Sequence, residues 1–381
     1  MKKAFVNAKI YFEGEGVQTA NLVFDDKILS TSLDGSEEVI ELPADAIVVP
    51  GFIDQHIHGA GGADAMDGTI DALTTIANTV AGEGTTAFLA TTMTQSVENI
   101  TNALSAVKAY KDANYATGAE ILGIHLEGPF IAASMKGAQP LEYVVSPDID
   151  IFDAYNKASG NNIKIVSLAP EVDGADALIA HLDSNGIVAS IGHTAAKSAD
   201  VRKAIRSGAK NITHTYNAQS ALHHREIGVV GSAMLYDELA TELIADTIHV
   251  SVPAMQLLAK NKPNGKLILI TDAMRAKGLA DGESELGGQV VIVKNGEARL
   301  TDGTLAGSVL RMNRAIANFI EKVGIPFTKA IDCATINPAK ALGVDKVMGS
   351  IKVGKLANFT VLNSNYDVLC TIRNGEVIYK A

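Results

Sequence analysis

Cysteine is nearly absent from this chain: Cys333 and Cys370 are the only two in 381 residues. Neither belongs to a C-x-x-C pair, so a disulfide framework and a cysteine-built metal knot are both excluded, and the two read as reduced, buried thiols. Proline is also scarce, at 10 residues, against 47% hydrophobic residues and 34 glycines, which excludes a disordered or fibrous protein. Long apolar runs are missing. None approaches the ~18 residues of a membrane-spanning helix. The stretch after Met1-Lys2-Lys3 is broken by Asn7, Lys9 and Glu13, leaving no apolar core for a signal peptide. Positive charge is short as well, with 32 Lys and Arg against 43 Asp and Glu and a net charge of −11. A surface this acidic argues against nucleic acid and anionic membranes as partners. The expected setting is the cytoplasm, and any anionic substrate must be gripped by local cations.

The remaining composition supports a large buried core, and its pattern is regular. Residues 1–48 contain short β-rich runs (KAFVNAKIYF, NLVFDDKILS, EEVIEL), and the same texture returns in GKLANFTVL and VLCTIRNGEVIYK near the other end. The last of these contains Asn374-Gly375, a tight-turn dipeptide. Residues 1–48 and 345–381 are therefore expected to form one small β-sandwich. Between them, across 49–344, eight apolar runs alternate with helix-length amphipathic segments: AIVVPGFIDQHIH, TTAFLATTM, EILGIHLEGP, IKIVSLAPE, IVASIGHT, NITHTYNA, ELIADTIHV and KLILITDAM. This is the pattern of an α/β protein built as a (β/α)₈ TIM barrel. A doubly wound sheet is the alternative.

Polar residues end most of these runs: His56 and His58, Glu127, His193, His214, His249 and Asp272. In a barrel the C-terminal strand ends converge on one mouth, so these distant residues would meet there. His56 and His58, two apart on a strand, project from one face and can chelate one ion. Several hydrogen-bonding side chains collected in a low-dielectric mouth lose several kcal/mol of solvation unless they bind a metal or one another. Imidazole and carboxylate ligands suit Zn²⁺ or Fe²⁺, without choosing between them. Such an ion polarises a carbonyl and acidifies bound water, making a hydrolytic nucleophile at neutral pH, and Asp272 would then shuttle the proton.

At this point the residues resemble the amidohydrolase superfamily and, within it, the family of N-acetylglucosamine-6-phosphate deacetylases. The resemblance spans essentially the whole chain. It rests on PGFIDQHIHG (50–59), HLEGPF (125–130), KGAQ (136–139), GHT (192–194), THTYNA (213–218), HHRE (223–226), TDAM (271–274) and LAGS (305–308). It implies that Glu127, His193 and His214 bind the principal metal, that His56 and His58 bind a second, and that Asp272 is the catalytic acid and base. One or two divalent ions per chain follow, with Glu127 bridging a pair. It further implies that Arg225 and His249 hold a phosphate, assisted by the backbone near Asn217 and Ala218. Ala138 and the segment Leu305, Ala306 and Gly307 would face the sugar. The implied partner is a small phosphorylated amino sugar, and the implied assembly a homodimer or larger homo-oligomer.

Two positions depart from the family's pattern: Ile227 stands where proline usually follows HHRE, and Gln219 where methionine is frequent. Both put loop shape, and with it glucosamine over galactosamine preference, in question. A cyclic-amide hydrolase would share the H-x-H opening and the closing Asp, but such enzymes bridge their metals with a carboxylated lysine at the end of strand four. Here that strand ends SLAPE, and Lys164 lies near its beginning. A non-catalytic scaffold predicts eroded ligands, whereas this chain retains all of them.

Overall fold

The computed structural model describes residues 1–115 and 117–381. All eight expected runs supply a barrel strand. They are β1 (Phe52–Ile57), β2 (Thr85–Thr91), β3 (Glu120–Glu127), β4 (Ile163–Leu168), β5 (Val188–Ile191), β6 (Asn211–Ile212), β7 (Ala240–Ile244) and β8 (Leu267–Ile270). Each is parallel to the next in chain order. A doubly wound sheet would reverse its strand order partway, and this one does not. The first and last strands meet at a seam, where Asp272 N donates to His56 O at 2.8 Å and Thr271 Oγ1 donates to Asp54 Oδ2 at 2.6 Å. Every residue of β2 and β8 is buried, as expected of parallel strands covered on both faces.

The covering is done by α1 (Ile70–Ala81), α2 (Val97–Asp112), α3 (Ile149–Ala158), α4 (Ala175–Ser184), α5 (Ser198–Ser207), α6 (Gly228–Leu235), α7 (Val252–Asn261) and α8 (Met312–Glu321). In α1, Leu73, Ile76, Ala77 and Val80 recur at helical spacing and are all buried. Each larger apolar side chain so buried contributes about 1.5–3 kcal/mol. Thr69 begins the helix by accepting a hydrogen bond from Ala72 N at 3.2 Å.

The run AIVVPGFIDQHIH divides at Gly51. Ile47–Pro50 leaves the barrel and joins the terminal sheet, pairing with Lys3–Phe12 on one side and Phe359–Leu362 on the other. A Cβ at Gly51 would collide with the Thr86 side chain, so only glycine lets the chain pass from one sheet to the other here. The two termini combine as expected, and Ile47–Pro50 bonds both halves into one eight-stranded sheet. Phe5, Phe24 and Phe359 fill its core with ring centroids 5.0–5.7 Å apart. The Asn374-Gly375 turn forms, with φ of 49° and 74°. Thr360 and Thr371 tie the sheet to the barrel by donating to Gly84 O at 2.6 Å and Ala81 O at 2.7 Å.

One element was not anticipated from sequence. Gly282–Leu286, Gln289–Lys294 and Glu297–Leu300 form an antiparallel three-stranded sheet between β8 and α8. Its buried face carries Leu286, Val291, Val293, Ala298 and Leu300, packed with Met93 and Met274. This sheet stands over the C-terminal mouth of the barrel.

Candidate functional site

A cavity of about 340 Å³ opens at that mouth, within the range of small-molecule sites. Glu127 is the last residue of β3, His56 lies in β1 and His58 just beyond it. His193, His214 and Asp272 each sit two residues past the ends of β5, β6 and β8, and share an uncommon backbone, with φ of 46°, 27° and 48°. Non-glycine residues held there cost about 1–3 kcal/mol each. The same turn, repeated three times, swings each side chain over the mouth instead of along the barrel wall.

The side chains meet at Glu127. Its Oε1 lies 3.1 Å from His214 Nε2 and 3.4 Å from both His56 Nε2 and His193 Nε2, while its Oε2 lies 3.5 Å from His58 Nε2. Asp272 Oδ1 stands 3.2 Å from His58 Nε2 and 3.4 Å from His56 Nε2. Three donor groups result, Glu127 with His193 and His214, His56 with His58 and Asp272, and His56 with His125 and Glu242, the donor atoms of each lying within 4.8 Å of one another. His56 Nε2 is buried without a hydrogen bond, a costly condition that a bound cation relieves. This nitrogen and oxygen donor set fits a divalent ion.

The electrostatics agree. Burial alone would push the Glu127 carboxyl up, yet the His56 charge and hydrogen bonds from His193 and His214 hold it well below its ordinary value. Asp272, also opposed by burial, is brought down to about 2 by His56 and His58. Both carboxylates are therefore anionic at neutral pH, ready to ligate or to accept a proton. Burial works against charge on His56, His58 and His193, but the same two carboxylates raise all three.

A surrounding shell aims the ligands. His193 Nδ1 donates to Met135 O at 2.9 Å and His58 Nδ1 to Thr91 O at 3.3 Å, leaving both Nε2 atoms facing the centre. Gln139, the last residue of KGAQ, donates to Glu127 Oε2 at 2.7 Å and accepts from Thr94 N at 2.7 Å. Below this layer the barrel is filled by a closed circuit of buried polar groups. From Glu242 it runs through Asn211, Ser190, Thr213, Ser167, His125 and Gln55 and back, with contacts of 2.6–3.1 Å.

On the substrate side, Ala138, Asn217, Ala218, His249, Leu305 and Gly307 line the cavity with the metal-ligand candidates. His249 Nδ1 lies 2.6 Å from Asp246 Oδ2, and that carboxylate, against the effect of burial, raises the imidazole above its ordinary value. His249 thus faces the cavity with its charged form favoured by Asp246, in an otherwise acidic protein. Ala306 is buried behind its neighbours rather than in the wall. Arg225 is exposed on the loop after β6, its Nη1 2.8 Å from His224 Nε2, and is not part of the cavity wall within this chain. The cavity also has Gln139, from the KGAQ element, and Met93, Met135, Leu286 and Thr304 in its wall, and the sequence assigns a role to none of these.

Both departures in the β6 loop have a structural counterpart. Gln219 braces the loop by donating to Thr213 O at 2.6 Å and accepting from Tyr216 N at 3.2 Å. Ile227 has φ of −74°, close to the angle a proline imposes, so the backbone course at that position is the one proline would give. Lys164 is the exposed residue of β4, so no lysine stands at the mouth end of that strand.

Comparison with known proteins agrees with this geometry. Residues 47–378 match the Amidohydrolase family. N-acetylglucosamine-6-phosphate deacetylase of Bacillus subtilis is 45% identical over 93% of this chain and 91% of its own. N-acetylgalactosamine-6-phosphate deacetylase of Escherichia coli O157:H7 is 38% identical over 84% of this chain and 85% of its own. The crystal structure of N-acetylglucosamine-6-phosphate deacetylase from Pasteurella multocida superposes with a TM-score of 0.94 at 32% identity, covering all of both chains. The chain therefore belongs to the amidohydrolase family, in the branch of the N-acetylglucosamine-6-phosphate deacetylases.

Proposed function

We propose that this protein hydrolyses the acetamide of N-acetyl-D-glucosamine 6-phosphate, giving D-glucosamine 6-phosphate and acetate. The observation that carries the proposal is the placement of Glu127, His193, His214 and an anionic Asp272 around one end of a cavity whose wall also holds His249, its charged form favoured by Asp246. Glu127, His193 and His214 would hold the principal divalent ion, zinc or iron, and His56 and His58 a second, with Glu127 shared. Bound there, the metal supplies Lewis acidity toward the acetyl carbonyl and lowers the pKa of water at the site.

The chain's own residues do the rest. Asp272 Oδ1 takes a proton from the attacking water as the new C–O bond forms. It then gives that proton to the amide nitrogen as the C–N bond breaks, so the amine leaves neutral and one carboxylate serves both transfers. His249 binds the 6-phosphate, and Arg225 is assigned to the same anion from its loop. Ala138 and the Leu305–Gly307 segment bound the sugar, where Gly307, with φ of 62°, lets the backbone come close to Asp272. The same reading makes the protein a cytoplasmic homo-oligomer.

The galactosamine epimer is the second reading, since a relative named for it is 38% identical. Acetate release measured on both N-acetylhexosamine 6-phosphates and on the unphosphorylated sugars tests the proposal. Faster turnover of the glucosamine phosphate is expected. Preference for the galactosamine phosphate would reassign the substrate, and no preference for phosphate would remove His249 and Arg225 from recognition.

A further inference from the structure

Glu242 belongs to none of the motifs above, yet it is fully buried in β7 beneath the candidate ligands. Four groups converge on its two oxygens. Gln55 Nε2 and Asn211 Nδ2 donate to Oε1 at 2.7 and 3.0 Å. The backbone N–H of His214 donates to Oε2 at 3.2 Å, and His56 Nδ1 lies 3.1 Å from that same oxygen. Three of the four are N–H groups that donate as placed, and the His214 backbone N–H can do nothing else. An ionised carboxylate accepts all of them, and this fixes the role of the fourth.

We propose that Glu242 is a positioning residue that keeps the proton of His56 on Nδ1, so that the Nε2 lone pair faces the metal centre. The observation that points the same way is His56 Nε2 itself, buried at the centre with no hydrogen bond of its own. The Oε2 atom touches the ring of a ligand assigned to the second ion and the backbone of one assigned to the principal ion, so one carboxylate braces both positions. A ligating imidazole is ordinarily oriented in this way by an acceptor at its other nitrogen.

The amide isostere exposes the mechanism. In Glu242→Gln one end of the side chain becomes an NH₂ group and must face two former donors. On the Oε1 side Gln55 and Asn211 can turn their amides over to accept from that NH₂, and the variant's carbonyl then keeps the His56 Nδ1 proton but braces it without the carboxylate's charge. The inference rests on the two-ion reading only for its effect on metal loading. The position of the proton on His56 is a separate prediction and holds with or without a second ion.

The test has two arms. In zinc-loaded protein labelled with ¹⁵N-histidine, with the His56 signals assigned from a His56→Ala variant, Nδ1 of His56 should carry the proton. A His56 whose Nδ1 is unprotonated in the wild type overturns the proposal, and this arm needs no Glu242 variant to fold. In Glu242→Gln, where the brace on His56 loses its charge, chelator competition should show the weaker-bound ion released about tenfold or more readily while the principal ion stays. Two ions held at wild-type affinity in the variant also overturn it. If the wild type binds a single ion, the two-ion reading fails, and the His56 proton alone decides the role of Glu242.

Discussion

Asp272 sits at a left-handed backbone position between two histidines, its carboxyl brought down to about 2, and everything proposed for the chemistry passes through that side chain. Asp272→Asn preserves size and polarity but cannot take a proton, so it should fold and bind substrate with turnover lowered by at least ~10²-fold. Near-normal turnover in a fully metallated variant would remove the assignment. His249 gives a pH prediction with a definite sign. Its folded value lies above the ordinary imidazole value of about 6.5, so its cation and the Asp246 pairing are fully present below that value. Both are lost as pH rises through the raised value. KM for the phosphorylated sugar should therefore climb with alkalinity, while KM for the unphosphorylated sugar stays level. Arg225→Ala should raise KM roughly tenfold or more for the phosphorylated sugar alone, since a charge-assisted phosphate contact contributes about 2 kcal/mol. Equal loss on both sugars would give Arg225 a structural role. The candidate ligands that meet around Glu127 were legible in sequence because they fall at or near the ends of apolar runs. Glu242, Asp246 and Gln139 were not, because each acts on a partner that only the closed barrel brings near: His56, His249 and Glu127.

Barrel strands were readable as apolar runs because parallel strands covered on both faces must be apolar throughout. What the runs could not show was where one element stops. AIVVPGFIDQHIH serves two sheets with a break at Gly51, and NITHTYNA is a strand for Asn211–Ile212 only, before positive φ at His214, Tyr216 and Ala218 turns the chain away. The three-stranded sheet over the mouth is not announced by the run pattern, although Asn295-Gly296, with φ of 54° and 81°, marks its second turn. Its strands interrupt the βα alternation on which the reading depended. At the other end of the molecule, Gly375 packs its Cα against the Asp25 carbonyl with φ of 74°, joining the C-terminal hairpin to the N-terminal strands. Gly375→Ala adds a methyl with no room and an unfavourable backbone, and should destabilise the fold by about 1–3 kcal/mol, read as a lower Tm with metal content unchanged. An unaltered Tm would show that the terminal sheet yields there without cost.

For the molecule as a whole, charge and metal are linked. A chain of net charge −11 gathers four imidazoles around two buried carboxylates, a nitrogen and oxygen donor set that fits divalent cations. His193→Ala or His214→Ala should strip the principal ion and abolish activity, whereas replacing His56 and His58 together should remove at most one ion per chain. Identical metal content in the wild type and the double variant would show that His56 and His58 hold nothing. The central claim is tested most directly by acetate release from N-acetyl-D-glucosamine 6-phosphate, with the same preparation assayed metal-loaded, chelated and reloaded. Release that stops on chelation and returns with zinc or iron is the predicted result. No release from the loaded protein, or release indifferent to chelation, would contradict it.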